Sequence, residues 1–294
     1  MTVIIGLVIT LGCMLGGFTA MGGHVEVIWQ PWEFVIILGM SIGTFVVANP
    51  MKIIKDASKG FIEAFKNVGP TDQEYLELLG LLYALMREIR SKPRSEVEAH
   101  VEKPDESPLF QNFPLVLANE DLMTFICDYC RLILIGNART HEIEALMDEE
   151  ISTLRADKLK SYHSMYAMSE GLPAIGIVAA VLGVIKAMGS LDKPPEYLGK
   201  MIGAALVGTF AGIFFSYSFV SPIATKMKTG REKRLRLYVI AKQSLLAFMN
   251  GAMPQVAVEH GRKAISAYER PTIDEVEQQI SGGGGAAETQ KKAA

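Results

Sequence analysis

The chain has 294 residues and a formal net charge of −3; 49% of its residues are hydrophobic and 21% are charged. This charge argues against a nucleic-acid-binding protein with a basic surface, and three cysteines are too few for a disulfide framework. Uncharged apolar blocks alternate with blocks dense in charge, which is typical of a polytopic membrane protein with soluble parts.

Four stretches are long and apolar enough to cross a bilayer as helices. They are residues 2–21, 33–49, 171–190 and 201–220. The first stretch lacks the basic start of a signal peptide, so we interpret it as a retained span. The expected fold class is all-α, with four transmembrane helices and a helical cytoplasmic domain.

Lysine and arginine are concentrated after the second and fourth spans and are absent from the loop between the first two. The positive-inside rule therefore places both termini and the long middle block in the cytoplasm. The predicted division is two spans in 1–49, a cytoplasmic helical domain in 50–170, two spans in 171–223, a cytoplasmic C-terminal helical part in 224–281, and a disordered tail in 282–294.

Apolar residues at helical spacing predict a helix over residues 72–90. Its buried side is expected to hold Tyr75, Leu78, Leu79, Leu82 and Met86. Pro93 ends this helix, and further helices are predicted at 94–103, 121–136 and 140–170, the last continuing into the third span. Cys127 and Cys130 form a C-x-x-C pair, but no second pair or nearby histidine completes a metal or redox site.

Small residues form stripes on the third and fourth spans. They are Gly176, Ala179, Ala180 and Gly183 on the third, and Ala204, Gly208, Gly212 and Ser216 on the fourth, with Thr209 beside them. Such stripes let helix backbones approach closely in a membrane. The two spans could simply pack on each other, but the length of the stripes favours an additional surface for helices of other copies or of a partner.

Ion pathways usually depend on carboxylates or histidines inside the membrane, and no span has one near its middle. Glu33 is expected at the outer boundary. If the chain moves ions, the carrier group must come from another chain, and its own contribution would be hydroxyls such as those of Thr209 and Ser216.

Several motifs in the right order resemble the MotA family of flagellar stator subunits over nearly the whole chain. They are "QP.E" at Gln30–Glu33, "LPAIGIVAAVLGV" at Leu172–Val184, "VGTFAGI" at Val207–Ile213 and "VEHGRK" at Val258–Lys263. The resemblance implies a non-enzymatic, multi-pass protein of the bacterial inner membrane with no cofactor or metal. It also implies a homopentamer around a MotB-like dimer of single-span subunits, which supplies a protonatable aspartate.

The resemblance implies three sets of site residues. The ion path and the face toward the partner helix comprise Gly176, Ala180, Gly183, Thr209 and Gly212. Pro173 and Pro222 are hinges that couple the membrane part to the cytoplasmic part, although prolines also commonly mark helix ends. Arg90 and Glu98 bind a FliG-like rotor protein, although charged residues are commonly only solvated surface.

The ion is predicted to be a proton. Sodium needs several oxygen ligands at once, and the third span offers no side-chain oxygen at Ala179, Ala180 or Gly183. Sodium-using relatives typically have threonine at the position of Ala180. Two alternatives stay open: an ExbB/TolQ-like force-coupling subunit, which typically has three spans, and an ion channel that needs no partner.

Overall fold

The computed structural model describes residues 2–66, 69–136 and 139–281, and this part of the chain is helical with no strand. Its α-helices are α1 (Thr2–Ala20), α2 (Pro31–Ala48), α3 (Met51–Phe65), α4 (Asp72–Ser91), α5 (Arg94–Glu102), α6 (Pro108–Gln111), α7 (Pro114–Leu117), α8 (Glu120–Ile135), α9 (Thr140–Met188), α10 (Pro195–Phe214), α11 (Ser221–Met249), α12 (Pro254–Lys263) and α13 (Ile273–Ser281). A π-helical segment, Phe215–Val220, joins α10 to α11. The predicted tail at 282–294 lies outside the described residues.

The chain forms two compact units. The first unit comprises residues 1–68 and 158–231, and the second comprises residues 69–157 and 232–294. These limits follow from compact packing, whereas the predicted limits at 50 and 170 follow from expected immersion in lipid. The predicted membrane boundaries therefore stay a prediction.

Within the described ranges, four helices are long and apolar enough to cross a membrane, as predicted: α1, α2, α9, and the continuous helix from Pro195 to Met249. The third span is the apolar end of α9, whose 49 residues extend for about 74 Å. The predicted continuity of 140–170 with the third span is confirmed. The fourth helix begins at Pro195, whereas the predicted span begins at residue 201. Proline is well tolerated in a first helical turn, because an amide there has no hydrogen-bond partner within the helix.

The first span has no buried residue within the chain. The positions where Cβ atoms would stand on Gly12 and Gly16 have nothing within 4 Å. The small residues of α1 therefore do not serve close packing inside this chain.

Helix α3 follows the second span and is absent from the predicted elements, although its apolar residues recur at helical spacing. Pro50 precedes it in an extended conformation, which separates it from α2. Ala57 and Ala64 are buried against a cluster that includes Met165, Ile223 and Met227. This packing joins α3 to α9 and α11 within the first unit.

The second unit has one large apolar core. The predicted buried side of α4 is confirmed, since Tyr75, Leu78, Leu79, Leu82 and Met86 are all 1% exposed or less. The Thr71 side chain caps the start of α4 by accepting a hydrogen bond from the Glu74 amide at 3.1 Å. The helix ends at Ser91, two residues before Pro93, as the sequence predicts.

Candidate functional site

The third and fourth spans contact each other through their backbones. A Cβ atom on Gly212 would lie 2.7 Å from the Cα of Gly176 and 2.7 Å from the carbonyl oxygen of Leu172. A Cβ atom on Gly176 would lie 2.9 Å from the carbonyl oxygen of Gly208. No side chain fits at these distances, so glycine is what allows the two helices to meet here.

The contact continues along α9. A Cβ atom on Gly183 would lie 2.7 Å from the Cβ of Ala205. Gly176, Gly183 and Gly212 were predicted to face a partner helix, and the structure places all three between two spans of the same chain. This matches the alternative that the two stripes pack on each other. A contact of these glycines with a partner helix stays a prediction.

Ala180 and Thr209 lie at the rim of this contact and are half-buried. The backbone nitrogen of Ala180 is 3.2 Å from the position that a Cβ atom of Gly208 would occupy, and Thr209 is the next residue. Among the described residues, the Thr209 hydroxyl has no hydrogen-bond partner. Thr209 thus offers a hydroxyl without a described partner, next in sequence to the glycine that contacts Ala180.

Glu33 lies closer to this rim than the sequence indicates. Its Oε2 atom is buried without a hydrogen-bond partner and is 3.4 Å from the position that a Cβ atom of Gly208 would occupy. The sequence places Glu33 in the first turn of the second span, but no local pattern shows that α2 packs on α10. The structure therefore adds one carboxylate beside Gly208 that the predicted site lacks.

The two prolines lie inside continuous helices. Pro173 is within α9, and Pro222 is the second residue of α11, directly after the π-helical segment. Pro173 thus does not mark a helix end, whereas Pro222 lies in the first turn of α11; the hinge role of both stays a prediction. Pro222 has no amide hydrogen to donate to the carbonyl four residues earlier, which explains why the preceding turn widens into a π-helix.

A largely buried arginine side chain, 11% exposed, joins three helices of the first unit. Arg231 on α11 donates to Asp56 on α3, to the Ser161 hydroxyl on α9 at 2.6 Å, and to the carbonyl oxygen of Lys158 at 2.6 Å. Burial raises the pKa of Asp56, but hydrogen bonds from Arg231 and Ser161 lower it more, so its pKa is below the ordinary value. In the sequence, nothing distinguishes Arg231 from the other positive residues after the fourth span.

The predicted rotor residues lie on either side of the Pro93 break. Arg90 is exposed in the last turn of α4, and among the described residues it forms no ion pair. Glu98 lies on α5 and is 3.7 Å from Arg94, with both side chains about half exposed. Both predicted residues are therefore accessible at the surface of the second unit.

The C-x-x-C pair belongs to the core of the second unit. Cys127 and Cys130 are buried and unbonded, and burial raises the pKa of Cys127 to about 11. The thiols are therefore protonated at neutral pH, which disfavours both metal binding and thiol exchange. In the described ranges no group of three or more histidine, cysteine or acidic residues could hold a metal ion.

Comparison with known proteins identifies the family. A family model of the motility protein A N-terminal region matches residues 4–93, and a model of the MotA/TolQ/ExbB proton channel family matches residues 118–238. The chain is 41% identical over 280 residues to motility protein A of Salmonella typhimurium, which covers 95% of both chains.

Two solved structures have the same fold. The structure of C. jejuni MotAB matches with a TM-score of 0.72 and 20% identity, covering 90% of this chain and 96% of that one. The flagellar MotAB stator complex from Bacillus subtilis matches with a TM-score of 0.67 and 22% identity, covering 93% and 97%. Since identity to the Salmonella relative extends over nearly the whole length and both family models match, the chain belongs to the motility protein A family of the MotA/TolQ/ExbB proton channels.

Proposed function

We propose that the chain is a stator subunit of the bacterial flagellar motor, which conducts protons with a MotB-like partner and converts their flow into torque. This proposal rests mainly on the 41% sequence identity to a motility protein A, which extends over both the spans and the cytoplasmic helices. The ExbB/TolQ alternative is not favoured, because the motility protein A N-terminal model matches the first two spans and the start of the second unit.

The partner is a dimer of single-span MotB-like subunits. The two matching structures are of MotAB complexes, which supports a partner of this kind. The partner's aspartate would approach the rim formed by Ala180, Gly208 and Thr209. Beside that rim lie the Thr209 hydroxyl and the Glu33 carboxylate, while Ala180 and Gly208 supply no side-chain oxygen. Such a small set of oxygens suits relay of a proton better than coordination of a dehydrated sodium ion.

The rotor contact is formed by Arg90 and Glu98. Their exposure supports this assignment, since a torque-generating contact must be made and broken repeatedly. Complementary surface charges speed such encounters while each pair contributes little binding free energy. The rotor partner is a FliG-like protein that presents the opposite charges.

The chain forms a homopentamer within the inner membrane, surrounded by lipid. The absence of any buried residue on α1 supports contacts of this span outside its own chain. Exposed Met51, Phe61 and Ile62 lie on α3, which also carries the exposed Lys52 and Lys55, and this combination suits the boundary between acyl chains and anionic head groups. Both termini are cytoplasmic, because the lysines and arginines follow the second and fourth spans.

The proposal is tested by expressing the chain with its MotB-like partner in a motile bacterium that lacks its own stator. Swimming should return and should stop when a protonophore is added. Conduction should require both subunits, since no predicted span of this chain has a carboxylate near its middle. Restored swimming that ignores the protonophore but follows external sodium contradicts the proton assignment, and conduction by this chain alone contradicts the partner's role.

A further inference from the structure

Pro173 leaves a buried carbonyl without its helical hydrogen bond. In an α-helix, the amide of residue 173 would donate to the carbonyl of Ser169, but proline has no amide hydrogen. Ser169 is 1% exposed, so water does not replace the missing donor. A buried carbonyl in this position needs another donor, because an unsatisfied polar group is costly.

The donor comes from the other span. The hydroxyl of Ser216 donates to the Ser169 carbonyl oxygen at 2.6 Å, and Ser216 is 1% exposed. The Ser169 hydroxyl donates instead within its own helix, to the carbonyl of Tyr166 at 2.7 Å. Ser216 therefore fills the hydrogen-bonding position that Pro173 vacates.

Ser216 also belongs to the segment that Pro222 distorts. It is the second residue of the π-helical segment Phe215–Val220, which ends just before α11. A helical serine commonly donates to the carbonyl four residues earlier on its own helix, here that of Gly212. In this structure the Ser216 hydroxyl donates across the helix contact instead, to Ser169.

We propose that Ser216 is a positioning residue that links the two proline sites, holding the π-helical segment to the third span while its hydroxyl is donated to Ser169. When the helices shift during ion passage, this hydrogen bond must break, so it stabilises the linked arrangement relative to the shifted one. This inference rests on the stator function and goes beyond it, because it assigns to one hydroxyl the coupling between the two prolines. Removing that hydrogen bond should shift the equilibrium between the two arrangements about fivefold.

The first test compares three variants expressed with the MotB-like partner in a stator-less strain. Ser216→Ala should slow swimming while insertion and partner binding stay normal, and Ser216→Thr should retain most of the speed because it keeps the hydroxyl. Ser218→Ala is the matched control, since Ser218 lies two residues away in the same π-helical segment. If Ser216→Ala swims like the unaltered chain, or if Ser216→Thr is as slow as Ser216→Ala, the inference is wrong. Failure of the unaltered chain to restore swimming would instead refute the stator function.

A second test does not depend on motility. Pro173→Ala restores an amide donor to the Ser169 carbonyl, so it should make the Ser216 hydroxyl redundant. In the purified complex with the partner, Ser216→Ala should lower the Tm, and it should cause little further loss when Pro173→Ala is present. Equal Tm losses in both backgrounds would show that Ser216 does not replace the donor missing at Pro173.

Discussion

The guanidinium group of Arg231 holds both carboxylate oxygens of Asp56, at 2.6 Å for Oδ2 and 2.9 Å for Oδ1. Both oxygens are bound by one planar group, which a lysine could not reproduce. Because the same arginine also binds Ser161 on α9, one side chain fixes the relative positions of α3, α9 and α11.

Asp56→Asn should destabilise the first unit by about 1–2 kcal/mol, less than the loss of a fully buried pair because Asp56 is partly exposed. The folded pKa of Asp56 is lowered, so its contribution is present at neutral pH and is lost as the pH falls below the ordinary aspartate range. Thermal unfolding of the purified complex measures both effects. Lys59→Met, an exposed change on the same helix, is the control; equal stability of Asp56→Asn and the unaltered chain across pH would contradict this account.

Gly212→Ala should separate the third and fourth spans, because its Cβ atom would lie 2.7 Å from the Cα of Gly176. Overpacking of this kind typically costs about 1–3 kcal/mol. Gly203→Ala is the matched control on the same helix, since a Cβ atom there has nothing within 4 Å. Tm and swimming should fall for Gly212→Ala only, and two equally tolerated variants would refute the backbone contact.

The double reversal Arg90→Glu with Glu98→Lys should abolish swimming without loss of membrane insertion, since both residues are accessible and charge directs their contact with the rotor. Opposite changes on the rotor protein should partly restore swimming. Reversal of the exposed pair Lys103 and Glu106, which lie 3.1 Å apart, provides the control. Normal swimming of the Arg90 and Glu98 variant would show that these residues are only solvated surface charges.

Thr209→Val keeps the shape of the side chain and removes its hydroxyl, so it should slow rotation severalfold without preventing assembly with the partner. Thr209→Ser retains the hydroxyl and should rotate close to normally. Rotation rate at fixed pH, measured with and without external sodium, checks the change. An unchanged rotation rate in Thr209→Val would show that this hydroxyl does not belong to the ion path.

Elements that depend on local pattern could be predicted from the sequence. The spans follow from uncharged length, and the buried side of α4 follows from apolar spacing, because one strong periodic signal decides each of them. Helix α3 carries the same signal, since Ile53, Ala57 and Ala64 recur at helical spacing opposite exposed lysines, and the prediction omitted it.

Pairing between distant elements could not be predicted in the same way. The small residues around Gly176 and Gly212 predict that another helix packs closely there, but they do not identify which helix it is. The sequence likewise treats Ser216 as a hydroxyl available to ions, whereas the structure commits it to the Ser169 carbonyl. Glu33 beside Gly208 depends on the packing of α2 on α10, for which the sequence carries no local signal.

The positions of the three cysteines make the chain convenient for chemical labelling. Cys127 and Cys130 are buried in the second unit, and Cys13 lies in the middle of the first span, where water-soluble maleimides do not enter the bilayer. Thiolate is the reactive species, and burial suppresses it at both core positions. A single cysteine introduced at an exposed site outside the predicted rotor contact, such as Lys103, would therefore be labelled selectively, so fluorophores or cross-linkers could report on assembly of the purified complex without first removing the native thiols.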